Sequence, residues 1–307
     1  MSAIRSVRVE GLRLRVLEEA PSSESDEPVL LIHGLAGWAE NWREVMPAIS
    51  ATGRRAIAVD LPGFGESARP RSARYFDVER PFYAPLVFSL LDELGVGRAH
   101  LVGHSFGGAV AYTAAVWRPD RVRSLTLIAP GGLGTDLDRS FRILTLPGMG
   151  LLARLRRSER LTREILYACF HDPSRCSAQL LAEAQRYGAP SVGEMVAVLR
   201  STVSFRRGVR DEVRRPWIER RDRYQGPTLV VWGREDRILP VSHAEEARLL
   251  APQAEVHVIP SCGHLVMAER PRELLGVLLP FFERAIPQGS SGSGSVLAEA
   301  ASGHGLR

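Results

Sequence analysis

Leu101–Val102–Gly103–His104–Ser105–Phe106–Gly107–Gly108 is the stretch on which the reading of this chain turns. The apolar residues Ala99–Val102 read as a buried strand, and Phe106–Trp117 reads as a helix that follows with no loop between them. Ser105 therefore stands on a sharp strand-to-helix turn, in a G-x-S-x-G pattern. Small residues on either side let the backbone through such a turn without a clash. A helix that begins at Phe106 also aims its first N–H groups at negative charge forming beside the serine. The same residues describe a serine that merely caps a helix, so the rest of the chain has to decide.

Working outward, Val7 and Val9, then Leu12, Leu14 and Val16, alternate with polar residues across Gly11, which predicts an opening antiparallel hairpin. Pro21 to Pro28 is a polar, acidic turn. Val29–Ile32, Ala56–Val59 and Val122–Ala129 are apolar runs of the kind buried on both sheet faces. Helices are expected over Asn41–Ala51 and Asp77–Leu94. Strands that alternate with helices imply right-handed crossovers and a mostly parallel sheet covered on both faces. From Pro130 to about Arg223 strand-like runs vanish, and arginine-rich amphipathic stretches such as Phe141–Leu155 and Glu194–Phe205 take over. The strand–helix rhythm returns at Thr228–Trp232, His243–Leu250, Glu255–Ile259 and Arg272–Ala285. The expected organisation is a core over 1–130, a helical cap over 131–223, the rest of the core over 224–286, and a disordered glycine- and serine-rich tail over 287–307.

A serine nucleophile needs a base, and the base needs an orienting acid. After Ser105 the loop following the Thr228–Trp232 strand carries both Glu235 and Asp236, and the loop following the next strand carries His264. Both loops belong to the sheet edge that carries Ser105, where open α/β sheets bind ligands. A second oxyanion donor is expected from His33–Gly34–Leu35–Ala36–Gly37, with the Leu35 amide beside that of Phe106. Gly34, Trp38, His104, Leu133 and Leu265 are assigned to the substrate pocket, while Trp42 fits pocket or core equally. His100, His243 and His257 read as structural, and His171 with Asp172 as a candidate substrate contact from the cap. Arg207, Arg210 and Arg214 are candidate carboxylate binders in what reads as a solvated helix face, and Leu144–Leu152 is expected to roof the pocket.

Taken together, HGLAGWAENW (33–42), DLPGFGES (60–67), LVGHSFGGAVA (101–111), LVVWGREDRILP (229–240) and IPSCGHLVMAERP (259–271) resemble the α/β-hydrolase superfamily, from about Val7 to Phe282. The resemblance implies an eight-stranded, mostly parallel sheet with an inserted cap. It also implies a triad of Ser105, Asp236 and His264, with Asp236 preferred over Glu235 by its place in a G-x-x-D pattern, and an oxyanion hole of Leu35 and Phe106. Serine at the elbow argues against the haloalkane dehalogenases and epoxide hydrolases, which carry aspartate there. Ala129–Gly134 and Phe170–Ser174 are similar to meta-cleavage-product hydrolases, which split carbon–carbon bonds; Leu265, where those enzymes commonly have an aromatic residue, departs from them. The expected function is hydrolysis of a carboxylic ester with a small or medium apolar acyl group, through an acyl-enzyme. The alternatives are a carbon–carbon bond hydrolase or a non-hydrolytic acyltransferase of the same fold, and, in another class, a binding protein that has lost the chemistry.

Composition narrows the rest. The 307 residues are 45% hydrophobic and 24% charged, which is ordinary for a soluble globular protein. The net charge of +5 comes entirely from arginine, since lysine is absent, and the 35 acidic residues are interleaved with it. No nucleic-acid motif accompanies that charge. Three scattered cysteines suit neither a disulfide framework nor a metal site, and the proposed chemistry calls for no cofactor or metal. The start lacks the continuous apolar core of a signal peptide, and no run nears the ~18 residues of a membrane span. A cytoplasmic monomer or homodimer acting on a small molecule, without stable membrane insertion, is expected.

Overall fold

The structure is a computed structural model that describes residues 3–21, 28–70, 82–155 and 159–285. The tail expected at 287–307, most of the acidic turn and the start of the helix expected from Asp77 lie outside the described residues. Strands β1 (Ala3–Val9) and β2 (Leu12–Glu19) form the opening hairpin, turning through Glu10 (φ 47°) and Gly11 (φ 80°). Two successive positive φ values match the right-handed twist of the strands they join.

The remaining strands are β3 (Val29–Ile32), β4 (Ala56–Val59), β5 (Ala99–His104), β6 (Val122–Ile128), the short β7 (Val203–Ser204) and β8 (Gly208–Val209), β9 (Thr228–Gly233) and β10 (Glu255–Ile259). Eight of them make one sheet in the order β1-β2-β4-β3-β5-β6-β9-β10, in which β2 alone runs against its neighbours. Strand alternation builds two cores from one sheet. Leu30, Ile32, Val230 and Trp232 face one side, where they meet α2 (Tyr83–Glu93) and α3 (Phe106–Trp117). Val29, Leu31, Leu229 and Val231 face the other, against α1 (Met46–Ala51) and the C-terminal helix Pro271–Arg284. Each fully buried side chain of this size contributes about 1.5–3 kcal/mol, which is why these central strands are apolar throughout.

Between the neighbouring strands β6 and β9 the chain makes a helical insertion. It contains α4 (Arg139–Ile143), α5 (Met149–Leu155), α6 (Glu159–Ala168), α7 (Ala178–Glu183), α8 (Val192–Thr202) and α9 (Asp211–Glu219). The core then closes with α10 (His243–Leu250), α11 (Val266–Glu269) and α12 (Pro271–Arg284).

Several expected boundaries move, for local reasons. The helix expected over Asn41–Ala51 is a 3-10 turn, Ala39–Trp42, followed by α1, because the Asn41 side chain accepts the Trp38 amide and Pro47 restarts the helix. The helix expected over Phe141–Leu155 is broken by Pro147 and by Gly148, which sits at φ 80°. The one expected over Glu194–Phe205 ends at Thr202, where Val203 and Val209 pair as a two-stranded ribbon. The insertion is thus not free of strand.

Candidate active site

Ser105 sits at φ 52°, ψ −117°, a backbone conformation that a residue with a Cβ adopts only when its surroundings impose it. The turn is held on three sides. The Ser105 amide donates to the Ile128 carbonyl at 2.9 Å, and the Ser105 carbonyl accepts the amides of Gly108 and Gly131, both at 3.0 Å. A Cβ on Gly103 would lie 2.3 Å from the Gly107 carbonyl oxygen, and one on Gly107 would lie 2.3 Å from that of Ile32. The strand and helix can meet this closely only as glycine.

The acid and histidine loops are fastened to one another at the same sheet edge. His264 Nδ1 is 2.7 Å from Asp236 Oδ2, and both residues are buried. Asp236 Oδ1 accepts the amides of Ile238 and Leu239 at 2.8 and 3.0 Å, so this carboxylate is fully engaged as an acceptor. A histidine whose Nδ1–H is given to an acid presents its Nε2 lone pair for a proton. Glu235, the competing acid, points elsewhere: its Oε2 accepts the Cys262 amide at 2.9 Å while its own amide donates to the Cys262 carbonyl at 3.0 Å. It staples the two loops and leaves His264 to Asp236.

His104, inside the elbow, is buried, and its Nε2 lies 3.0 Å from the His264 carbonyl. The carbonyl can only accept, so Nε2 carries the hydrogen. Burial, aided by the nearby His264, holds this imidazole well below its ordinary pKa and therefore neutral.

The loop that carries Leu35 is supported from beneath. His33 accepts the Leu61 amide at Nε2 (3.0 Å) and gives its Nδ1 hydrogen to the Gly34 carbonyl (2.7 Å). Burial lowers its pKa to about 4, which keeps it in this one-donor, one-acceptor form. Asp60 is buried and accepts the amides of Ala39 (2.7 Å) and Glu66 (2.9 Å), with Arg15 at 3.3 Å. Arg15 is in turn paired with Glu40, so three buried, mutually hydrogen-bonded side chains brace the loop. Arg15 lies outside the family-like segments, Glu40 and Glu269 lie inside two of them without a role assigned from sequence, and the part each plays appears only when the chain is folded.

Glu269, buried at the end of α11, accepts the amides of Gly263 (2.7 Å), His171 (3.0 Å) and Asp172 (2.7 Å). Cys169 completes the joint, its carbonyl accepting the amides of His264 (2.8 Å) and Leu265 (3.2 Å). His171 and Asp172 therefore serve the joint between insertion and histidine loop and do not line the cavity.

Ser105 and His264 open on a cavity of about 210 Å³, together with Leu35, Phe106, Gly34, Trp38, His104 and Leu265. Leu133 does not line it. That side chain is buried in the core, and its carbonyl accepts Arg214 at 2.7 Å. Trp42 is likewise a core residue, fully buried. The roof is not Leu144–Leu152 but Thr162, Ile165 and Leu166 of α6 with Val192, Met195 and Leu199 of α8, because the break at Pro147–Gly148 turns α5 outward. Arg207, Arg210 and Arg214 are absent from the lining. Among the described residues, no group of three or more His, Cys, Asp or Glu side chains is placed to hold a metal ion, and no helix is long and apolar enough to cross a membrane.

A strained serine on a strand-to-helix turn, with a buried acid–histidine pair at the same edge of a parallel sheet, defines a class of protein. The chain belongs to the α/β hydrolase fold family, whose sequence pattern it matches over residues 27–271. It is 34% identical over 283 residues to the dihydrolipoyllysine-residue acetyltransferase component of the acetoin cleaving system of Pseudomonas putida, covering 92% of this chain and 70% of that protein. It is 32% identical over 250 residues to 2-hydroxy-6-oxo-6-phenylhexa-2,4-dienoate hydrolase of Burkholderia cepacia, covering 78% of this chain and 81% of that one. The solved meta-cleavage product hydrolase of Pseudomonas fluorescens IP01 shares the fold, with a TM-score of 0.74 at 24% identity over 92% of this chain and 98% of the other.

Proposed function

We propose that the protein is a serine hydrolase of carboxylic esters with a small or medium apolar acyl group. His264 takes the proton of Ser105 as its oxygen attacks the ester carbonyl, and Asp236 holds the resulting imidazolium. The amides of Leu35 and Phe106 receive the oxyanion, each such donor being worth about 3 kcal/mol at the transition state. His264 returns the proton to the departing alcohol, leaving an acyl-enzyme, and then activates the water that releases the acid. The helical insertion acts as the cap that keeps bulk water from the acyl group.

One observation carries this reading. Among the described residues that line the cavity, none is charged; Asn41, Thr162 and Thr202 are the polar side chains besides His104, Ser105 and His264. An apolar acyl chain suits such walls. A dienoate, the substrate named for the 32% identical relative, brings a carboxylate, and burying that ion without a cation costs several kcal/mol. That relative nonetheless supports carbon–carbon hydrolysis as a second reading, and the acetyltransferase relative supports acyl transfer to a nucleophile other than water.

Hydrolysis of p-nitrophenyl acetate, butanoate and octanoate, by wild type and by Ser105→Ala, tests the proposal. Turnover that falls by several orders of magnitude in the variant is expected. A wild type inert on every ester but active on a 2-hydroxy-6-oxo-dienoate would overturn the ester reading in favour of the second.

A further inference from the structure

The loop that carries Leu35 is held from two directions. Its first residues rest on the core, through His33 and the Gly34 carbonyl. Beyond them the Gly37 amide donates to the Gly34 carbonyl at 3.0 Å, closing a turn with Leu35 and Ala36 as its two central residues. Ala36 stands at φ 56°, in a place that turns with this backbone ordinarily give to glycine. An alanine stays there only under an outside hold, because negative φ is open to it at lower cost.

The insertion supplies that hold. α7 ends at Glu183, and the chain runs on as a π-turn, Ala184–Gly188, a rare element that recurs at functional sites. It lays Gly188 so closely on the loop that a Cβ there would stand 3.2 Å from the Ala36 carbonyl oxygen and 3.3 Å from the Trp38 ring. The Tyr187 ring lies 6.0 Å from that of Trp38, and the Arg15 guanidinium sits 5.5 Å from its centre. Glu183 makes the polar part of the contact. Its Oε2 accepts the Trp38 indole N–H at 3.3 Å, and Arg43 pairs with both of its oxygens, at 2.7 and 3.1 Å. The Glu183 side chain is only 13% exposed, so water competes little for these bonds. Trp38 is itself buried and lines the cavity, three positions past Leu35.

We propose that Glu183 is a positioning residue for the oxyanion hole. Through the Trp38 indole it fixes the far end of the Gly34–Gly37 turn, so the Leu35 amide keeps its working orientation only while the insertion is docked on the loop. The insertion thereby takes part in the chemistry as well as roofing the cavity. The hold on the loop stands on the contacts alone; that the Leu35 amide receives an oxyanion rests on the function proposed above.

The test uses the full chain and reads the loop in two ways. The first is hydrogen exchange with mass spectrometry on the peptide spanning residues 33–42, which needs no substrate. Glu183→Ala should raise exchange there about tenfold or more, while the peptide carrying β9 exchanges as in wild type. The second is steady-state kinetics on p-nitrophenyl butanoate. In Glu183→Ala kcat should fall about tenfold or more, with KM within about threefold of wild type. Affinity for an alkyl trifluoromethyl ketone, whose hemiketal oxygen on Ser105 occupies the hole, should fall by the same factor as kcat/KM. Glu183→Gln, which can still accept the indole N–H, should recover most of the loss. Trp38→Phe cuts the same contact from the core side, so in that background Glu183→Ala should cost little more. Unchanged exchange over residues 33–42, an unchanged kcat in Glu183→Ala, or losses that multiply in the double variant overturn the proposal. If exchange rises as expected while wild type hydrolyses no ester, the hold on the loop stands and the ester reading falls.

Discussion

His104 gives its Nε2 hydrogen to the carbonyl oxygen of His264 across 3.0 Å, and the two rings lie 4.7 Å apart. The residue beside Ser105 thus positions the backbone of His264, the base of the proposed mechanism. His104→Ala leaves that carbonyl buried without its donor, at a cost of about 1–3 kcal/mol. A fall in kcat of about tenfold to a hundredfold is expected, with a smaller fall in His104→Gln, whose amide can still donate. Steady-state kinetics on a p-nitrophenyl ester, with circular dichroism as a folding control, checks this.

Asp236 and Glu235 are neighbours in sequence with separate duties. Asp236→Asn keeps the shape but cannot hold the imidazolium, and kcat should drop by about 10⁴. Glu235→Gln retains an oxygen for the Cys262 amide and should lose less than about tenfold. Comparable losses in the two variants would contradict the assignment.

Glu269 satisfies three amides, a buried one from Gly263 and two part-buried ones from the insertion. Glu269→Ala orphans all three and should lower unfolding stability by about 3 kcal/mol or more in urea titrations. Glu269→Gln keeps one acceptor oxygen but turns an NH₂ group toward a donor, so an intermediate loss is expected.

Stability should fall on mild acidification. His33 has a pKa of about 4 in place, against about 6.5 in the unfolded chain. Between those values the unfolded state binds the extra proton, so stability is lost as pH drops from 6.5 toward 4 and the loss levels off below. His33 alone accounts for about 3 kcal/mol over that window. The lowered pKa of His104 acts in the same direction. Thermal unfolding between pH 7.5 and 4 should show the fall, and the slope should be shallower in His33→Gln.

The parts of the molecule that could be read from the sequence are those whose signal is local. Val29–Ile32 and Thr228–Trp232 are unbroken apolar runs ended by turn residues, and they form β3 and β9. Ser105 announces itself because strand, glycine, serine and helix follow within a few residues. What escaped depends on distant partners. Nothing near Glu269 in the sequence shows that Gly263, His171 and Asp172 will each present an amide to it. Leu133 is an apolar letter in either a cavity wall or a core, and only packing separates the two. Two-residue strands such as Val203–Ser204 are too short for periodicity to register. The apolar rhythm across Leu144–Leu152 masked a break that Pro147 and Gly148 impose by their backbone chemistry.

The insertion leaves the sheet after Ile128 and returns at Thr228, and those two strands lie side by side, with Leu125 opposite Thr228 and Ile128 opposite Val231. Its ends are therefore pinned together by the core itself. In polymer terms it is a closed loop, and the entropy of closing a loop grows only with the logarithm of its length, about 0.6 kcal/mol for each doubling. Lengthening, shortening or exchanging this segment thus costs the sheet little. The walls of the cavity can thus be rewritten while the strand edge that carries Ser105, Asp236 and His264 stays untouched.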